Sequence, residues 1–316
     1  MNEFVVTAPA SSANLGSGFD SVGIGIDIRM TARVRVLAPG ATSTWDYHGL
    51  HAPTHDGLRG CIEAGIVRIA PAAPALAVEL ENDIPLGAGL GSSAAAFAIG
   101  VAIGARLVDL PPDDDVLALA VAELEGHPDN ALAAWYGGVT VAALGDDGLT
   151  SLRFPPLDAA LAVVVPEIVL PTSDARALLP RAYKRGDAVH NIQRAALLGA
   201  AIASGRLDVL RAAVRDRIHQ PYRANAIPGL RAIFALDDPA IIAIALSGAG
   251  PAVLAFVRED AGRVGARIAQ TFARAGVAST VLTPQPATRG VGVLLAEPAE
   301  RPSERGRAGP REPQGR

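Results

Sequence analysis

Apolar residues recur along this chain at two spacings, and the change from one to the other divides it into elements. Alternation and short apolar runs predict strands over residues 4–8, 22–28, 31–37, 76–80, 139–144 and 161–165. Pro9 ends the first of these, and a polar, glycine-rich loop follows over 11–20. Apolar spacing near three and four predicts helices over 92–108, 116–125, 188–204, 207–218 and 261–275. A further short helix begins at Pro128 and stops at Gly137 and Gly138. Ser92 or Ser93 is placed to cap the first of these helices, and Asp113, Asp114 or Asp115 the second, which Gly126 ends. Residues 240–257 carry no charge over 18 positions, the length at which a membrane-spanning helix is suspected. Gly248, Gly250 and Pro251 interrupt that run, so it reads as two buried strands, 241–246 and 252–257, joined by a glycine turn. Strands near 277–282 and 291–296 close the second half. The order is mixed α+β in both halves, without the strict alternation of a doubly wound sheet. The chain divides into domains at 1–155 and 156–298. Residues 299–316 hold Arg, Glu, Pro and Gly with little apolar content, and are expected to form a disordered tail.

Composition changes this picture little. The 316 residues, half of them hydrophobic, suffice for two domains with sizeable cores. Aromatics make up only 4%, so alanine, valine, leucine and isoleucine must fill the interior. A formal charge of −4 offers no basic field for nucleic acid. Cys61 is the single cysteine; this excludes an intrachain disulfide and a multi-cysteine zinc site, and suits a reducing, cytoplasmic setting. Met1 to Phe4 show no basic-then-apolar secretory signal, and no membrane partner is expected. His51 and His55 lie among Pro, Gly and Asp and read as an exposed loop rather than a zinc site.

Chemistry enters with the segment Pro85, Leu86, Gly87, Ala88, Gly89, Leu90, Gly91, Ser92 and Ser93, which runs directly into an alanine-rich helix. Glycine lets the backbone take positive φ and lets a bulky anion approach its N–H groups. The start of a helix adds unpaired donors and the positive end of its dipole. The segment therefore reads as a phosphate-binding loop. It is not the G-x-x-x-x-G-K-[ST] loop, because the one lysine of the chain, Lys184, is remote from it. Nor is it G-x-G-x-x-G, because its three glycines are evenly spaced.

Four further constellations each allow a plain and a chemical reading. Asn14 and Asp20 lie in a loop that is either an ordinary turn or a place where a carboxylate pairs an ammonium. Glu123 and Glu125 end one helix, and His127, Asp129 and Asn130 begin the next. That junction is either simply capped, or it offers a carboxylate that joins a loop serine on magnesium, whose other ligands are water and substrate phosphates. Thr172 with Arg176, and His219 to Arg223, bring guanidinium groups that match carboxylate or phosphate. In a chain this rich in arginine, either is also an ordinary surface residue. The turn at 247–251 joins two strands or lets a ligand approach the backbone closely.

Together these segments resemble the GHMP kinase superfamily, and within it the homoserine kinases. A-P-A-S-S-A-N-L-G-S-G-F-D at 8–20, P-L-G-A-G-L-G-S-S-A-A-A at 85–96 and S-G-A-G-P at 247–251 carry the match. The loop and the turn are superfamily-wide. The first segment, with E-G-H-P-D-N at 125–130, T-S-D-A-R at 172–176 and H-Q-P-Y-R at 219–223, is similar to the homoserine kinases in particular. The resemblance runs from about residue 4 to 297.

It implies a two-domain α+β fold: an N-terminal ATP-binding domain, a ferredoxin-like C-terminal domain, and the active site in the cleft between them. The implied reaction moves the γ-phosphate of ATP to the side-chain hydroxyl of L-homoserine, a step toward threonine. Residues 85–93 would wrap the ATP phosphates. Ser92 or Ser93, with Glu125, would hold Mg2+, with Glu123 as second choice. The amino acid would lie near Asn14, Asp20, His127, Asn130, Thr172, Arg176 and Arg223. Asp20 would pair the ammonium, and the arginines would face the carboxylate and the transferring phosphoryl group. Asn130, Arg176 and Arg223 make up the implied catalytic set. Asn130 stands where mevalonate-kinase-like relatives place an aspartate, and Asp129 is expected to point away, since adjacent helix side chains diverge. One departure concerns adenine: family members often have an asparagine before an apolar helix near 56–65, and this chain has none there. A homodimer stays open. So do two alternatives, a kinase with a mevalonate-like acceptor and an inactive ligand-sensing relative. Asp20 and the arginines favour an amino acid, and the intact Ser92, Ser93 and Glu125 favour an enzyme.

Overall fold

The structure is a computed structural model and describes residues 3–53, 56–111 and 115–295. The expected tail, the strand end at Ala296, the capping positions Asp113 and Asp114, and His55 lie outside the described residues. Among the described residues the strands form two sheets. The larger centres on β1 (Glu3–Ala13) and β2 (Val22–Val36), which pair antiparallel. β3 (Thr44–His48) lies parallel on the outer edge of β4 (Leu76–Asn82), and β4 pairs antiparallel with β2. β5 (Val139–Gly145) and β6 (Gly148–Phe154) form a hairpin against the start of β2. The second sheet has the order β10 (Ser279–Leu282), β7 (Ala160–Pro166), β9 (Val253–Val257), β8 (Ile241–Leu246), all antiparallel. β11 (Gly292–Leu295) returns to the first sheet and pairs with β1. The strand expected to close the second half therefore closes the first.

The first sheet is covered by α1 (Gly57–Ile69), α2 (Ser92–Leu107), α3 (Asp115–Glu125) and α4 (Pro128–Tyr136). α2 is the central one, with Ala94 to Ala96 and Ala98 to Ala105 all buried. A Cβ on Gly100 would sit 2.2 Å from the Ile62 carbonyl oxygen, so α1 and α2 touch backbone to backbone. That contact requires glycine, and it fixes α1 against α2, the helix that follows the 85–91 loop.

The second half adds α5 (Thr172–Ala177), α6 (Arg185–Ser204), α7 (Leu210–Ala213), α8 (Gln220–Arg223), α9 (Leu230–Phe234) and α10 (Ala261–Arg274). α10 buries Val264, Ile268 and Phe272 and packs on β7. The Asp260 carboxylate caps it by accepting from the Arg263 N–H at 3.0 Å.

Three further expectations change. β1 continues past Pro9 to Ala13, because a register shift between Pro9 and Ala10 absorbs the missing N–H. The two strands expected over 22–37 are one, with Arg29 passing through on a half-exposed face where it pairs with Asp27. The helix expected over 207–218 is broken. The Asp216 carboxylate accepts from the backbone N–H groups of Ile218, His219 and Gln220, at 2.8, 2.9 and 2.6 Å, and so competes with continued helix. The chain restarts there as α8. The uncharged run 240–257 forms β8, a glycine turn and β9, and no helix among the described residues is long and apolar enough to cross a membrane.

Candidate active site

Gly87, Gly89 and Gly91 take φ values of 64°, 76° and 67°, while Ala88 and Leu90 between them stay outside the left-handed region. Such alternation turns successive N–H groups toward one side as an anion-binding concavity. The loop is pinned from two directions. Ser11 N–H donates to the Leu90 carbonyl at 3.0 Å, and Ala252 N–H donates to the Ala88 carbonyl at 3.1 Å. Ser247 Oγ donates to the Gly89 carbonyl at 2.7 Å. A Cβ on Gly89 would lie 2.3 Å from the Ser247 carbonyl oxygen, so both its φ and this approach require glycine. Gly91, not a serine, is the N-cap of α2. Ser92 and Ser93 lie inside the first turn, and their hydroxyls are left for the cleft, which both residues line.

Opposite the loop stands the α3–α4 junction. Ser93 Oγ donates to Glu125 Oε1 at 3.0 Å. Burial pushes the Glu125 carboxyl up to about 7, against the opposing pull of that hydrogen bond. Glu123 pairs with Arg68 at 3.0 Å on the surface and does not line the cleft. His127 is the N-cap of α4, and its Nδ1 is buried without a hydrogen-bond partner, 4.0 Å from Glu125 and 3.8 Å from Asp129. Burial, reinforced by the Arg176 charge, lowers its pKa and favours the neutral ring. Asp129 and Asn130 both line the cleft, which corrects the expectation that Asp129 points away. Both lie in the first turn of α4, and the Asp129 carboxylate folds back to accept from the Asn130 N–H at 2.7 Å. Burial pushes Asp129 up to about 7. Asn130 Oδ1 accepts from Ser11 Oγ at 2.9 Å, which leaves its amide N–H groups directed elsewhere.

The third wall joins the β1–β2 loop to α5 and α8. Asn14 Nδ2 donates to the Gly248 carbonyl, and its Oδ1 accepts from the Asp20 N–H, both at 2.9 Å. Asp20 accepts two bonds from Arg176, at 2.7 and 3.1 Å. Arg223 is 1% exposed. Its guanidinium donates to the carbonyls of Ala175 (3.4 Å) and Gly248 (3.0 Å), and to His219 Nδ1 (3.0 Å). Burial, with Arg176 nearby, brings its pKa down to about 10. His219 Nε2 lies 2.7 Å from the Gly16 carbonyl. With Nδ1 accepting and Nε2 donating, the ring is neutral, and burial favours the same state. The Phe19 ring lies 5.6 Å from both guanidinium carbons and stacks on His219 at 5.1 Å. Cation–π contact adds to the fixing of both arginines.

Most residues singled out in the sequence thus meet in one cleft: Asn14, Asp20, Gly87, Gly89 to Ser93, Glu125, His127, Asn130, Thr172, Arg176 and Arg223. Pro85, Leu86 and Ala88 do not line it; Pro85 and Ala88 are buried in the frame of the loop, and Leu86 is exposed. Phe19 and His219 were missed as site residues. Phe19 carried one signal, an aromatic within a glycine-rich loop of an aromatic-poor chain. The cleft thus offers a nest of N–H donors, a hydroxyl–carboxylate pair, and one anion and two cations held at fixed positions.

Family comparison agrees with this geometry. The model of the GHMP kinases N terminal domain matches residues 59–138, and that of the GHMP kinases C terminal domain matches 190–274. Fold and site together define a GHMP kinase, an ATP-using enzyme class. A homoserine kinase of Solibacter usitatus is 41% identical over 283 residues, covering 88% of this chain and 93% of that protein. One from Deinococcus radiodurans is 43% identical over 258 residues, covering 80% and 84%. The crystal structure of a homoserine kinase from Cytophaga hutchinsonii superposes with a TM-score of 0.80 at 24% identity, over 93% of this chain and 98% of that one, and supports the fold. The chain belongs to the homoserine kinase family.

Proposed function

We propose that this protein transfers the γ-phosphoryl group of ATP to the side-chain hydroxyl of L-homoserine, giving O-phospho-L-homoserine for threonine synthesis. The observation that carries this reading is the convergence, in a homoserine kinase family member, of the glycine nest with Asp20, Arg176 and Arg223 around one cleft.

The N–H groups of residues 87–93 hold the nucleotide phosphates. A magnesium ion fits the donor chemistry of Ser93 and Glu125, a hydroxyl and a buried carboxylate 3.0 Å apart, with Ser92 beside them. Burial raises the Glu125 pKa, with the Asp129 charge adding to it, and a bound cation would favour its ionised form. When bound, the ion would neutralise charge on the β- and γ-phosphate oxygens. Glu123 is tied to Arg68 and takes no part.

Homoserine carries an ammonium and a carboxylate on one carbon. Asp20 receives the ammonium, and Arg176 and Arg223 receive the carboxylate and the charge that develops on the phosphoryl group. Thr172, at the start of α5, borders the same space. The Asn130 amide donates to the acceptor hydroxyl and orients its lone pair. His127, neutral, adds no competing charge. Phosphoryl transfer rests mainly on positioning and charge stabilisation, so no strong base is required. The single cysteine, with a thiol that burial raises to about 11, suits a reducing cytoplasmic setting.

The test is ADP release by the purified protein with ATP, with and without magnesium, against homoserine, serine, threonine, mevalonate and shikimate. Turnover with homoserine and magnesium is expected. Turnover with another acceptor but not homoserine would overturn the substrate assignment.

A further inference from the structure

A second cavity, of about 660 Å3, lies outside the catalytic cleft and shares no lining residue with it. Its size falls within the roughly 300–1,000 Å3 typical of small-molecule sites. Helix α8 separates the two spaces: Arg223 faces the cleft, while Pro221 and Ala224 line the cavity. The floor is apolar, with Val214, Ile241 and Ala243 buried beneath it. The rim is cationic. Arg211 is engaged by Asp237 and by the Ile241 carbonyl, Arg217 by Asp187, and Arg231 by Asn225. Arg215 also lines the cavity and has no ion pair or hydrogen bond from its side chain among the described residues. Close by, Arg194 buries its Nε without a partner. After burial itself, the charges of Arg217 and Arg194 hold the rim residue His190 below its usual pKa. The Asp216 charge opposes this field only in part: its effect on His190 is smaller than that of either arginine, and its buried carboxylate is held by three backbone N–H groups rather than by Arg215.

We propose that this cavity is a regulatory site for a small organic anion, a carboxylate or phosphate-ester head on a short apolar body. The head sits at Arg215 and the body lies on the apolar floor. The route to the active site is short. Asp216 holds the turn that opens α8, His219 projects from that turn, and the His219 ring accepts from Arg223. A ligand that shifts residues 214–217 therefore shifts a catalytic arginine. The regulatory half rests on the kinase reading above; the binding half does not.

The test is calorimetry of the full chain with pentyl phosphate, with and without saturating homoserine and a non-hydrolysable ATP analogue. Binding is expected to persist in the presence of both active-site ligands. It should weaken about tenfold or more in Arg215→Glu, and in Ala235→Trp, where the added ring plugs the mouth. Inorganic phosphate and 1-pentanol, each offering half of the ligand, should bind at least about tenfold more weakly. Pentyl phosphate should also change kcat or the homoserine KM about twofold or more in the native enzyme, and not in Arg215→Glu, whose basal kcat is unchanged. No heat up to about 10 mM, displacement by the active-site ligands, or full binding by both variants would overturn the site. Binding with unchanged kinetics would overturn its regulatory role. Absence of any ADP release would strike the kinase reading alone, since the calorimetry stands without it.

Discussion

The Asp20 carboxylate takes two bonds from the Arg176 guanidinium, at 2.7 and 3.1 Å, across the cleft between the β1–β2 loop and α5. Both side chains are about one-third exposed, at 35% and 38%. As a stabiliser such a pair is worth only about 0–1 kcal/mol. Its value lies in placement. An anion and a cation are held side by side, facing the space where a zwitterionic amino acid can satisfy both.

Asp20→Asn keeps the shape and removes the charge proposed to meet an ammonium. Losing one side of a charge pair desolvated by the ligand costs about 2–5 kcal/mol. Homoserine affinity is therefore expected to fall by about thirtyfold or more, while nucleotide affinity stays nearly unchanged. Titration calorimetry with each ligand separately reads both numbers. Equal losses for the two ligands would show that Asp20 serves only to hold Arg176 and the loop.

Glu125 gives a prediction with a sign. Burial moves its carboxyl from 4.5 up to about 7, so the folded chain holds this proton more tightly than the unfolded chain. Its contribution to stability is complete below the unfolded value and is lost as pH rises through about 7. A shift of this size corresponds to about 3 kcal/mol. Without divalent metal, Glu125→Gln should melt a few degrees above the native protein at pH 8, with the gap closing toward pH 5. The same variant should lose turnover and need more magnesium. Glu123→Gln should change neither property, because Glu123 sits on Arg68 at the surface. A higher magnesium requirement in Glu123→Gln would move the metal ligand there.

The chemistry of the site was more legible in the sequence than its framework. The glycine loop, the 14–20 loop, the 125–130 junction and both arginine segments are local strings whose composition is itself the function. What stayed hidden depends on distant partners. β3 is an exposed edge strand with buried positions too few to make a pattern. The four-residue helix α8 has no period to read, and exists because Asp216 caps it and Gln220 Oε1 accepts from the Leu246 N–H at 2.8 Å. The pairing of β11 with β1 joins residues nearly 290 positions apart, and nothing local announces it. Asp129 lines the cleft beside Asn130 although neighbouring helix side chains diverge, and its carboxylate is bonded to the Asn130 N–H, a local bond that no sequence spacing announces.

Two glycines of the 85–93 loop should respond differently to the same change. Gly87 has φ +64° and open space around its missing Cβ, so Gly87→Ala costs only the left-handed penalty of about 1–2 kcal/mol. Gly89 has φ +76° and would drive its Cβ to 2.3 Å from the Ser247 carbonyl and 2.7 Å from that of Gly250. Gly89→Ala must push the loop off the 247–251 turn. It is expected to raise the ATP KM and lower kcat far more than Gly87→Ala, with a clear fall in melting temperature. Matching kinetics in the two variants would show that the seat of the loop on that turn does not matter for nucleotide binding.

Arg223→Lys tests the most enclosed charge in the cleft. The arginine is 1% exposed and distributes its donors among the carbonyls of Ala175 and Gly248 and the neutral ring of His219. Lysine keeps the charge but not the planar fork, so it cannot reach all three partners and also face a ligand. An arginine that stabilises a transferring phosphoryl group can be worth about 10³ or more in rate. On the proposed mechanism Arg176 shares the role, so a loss nearer 10² in kcat is expected for Lys, and a larger one for Ala. The burial of Arg223 also makes its loss felt in the fold: the Ala175 carbonyl and the His219 ring each lose a partner, at about 1–3 kcal/mol each, while the Gly248 carbonyl keeps its bond from Asn14. The melting temperature should therefore fall in both variants, further in Ala than in Lys. Steady-state kinetics beside a thermal melt separates the two effects. If kcat at saturating ATP and homoserine stays near native in folded Arg223→Lys while only the melt drops, Arg223 is a structural tie and not part of the reaction.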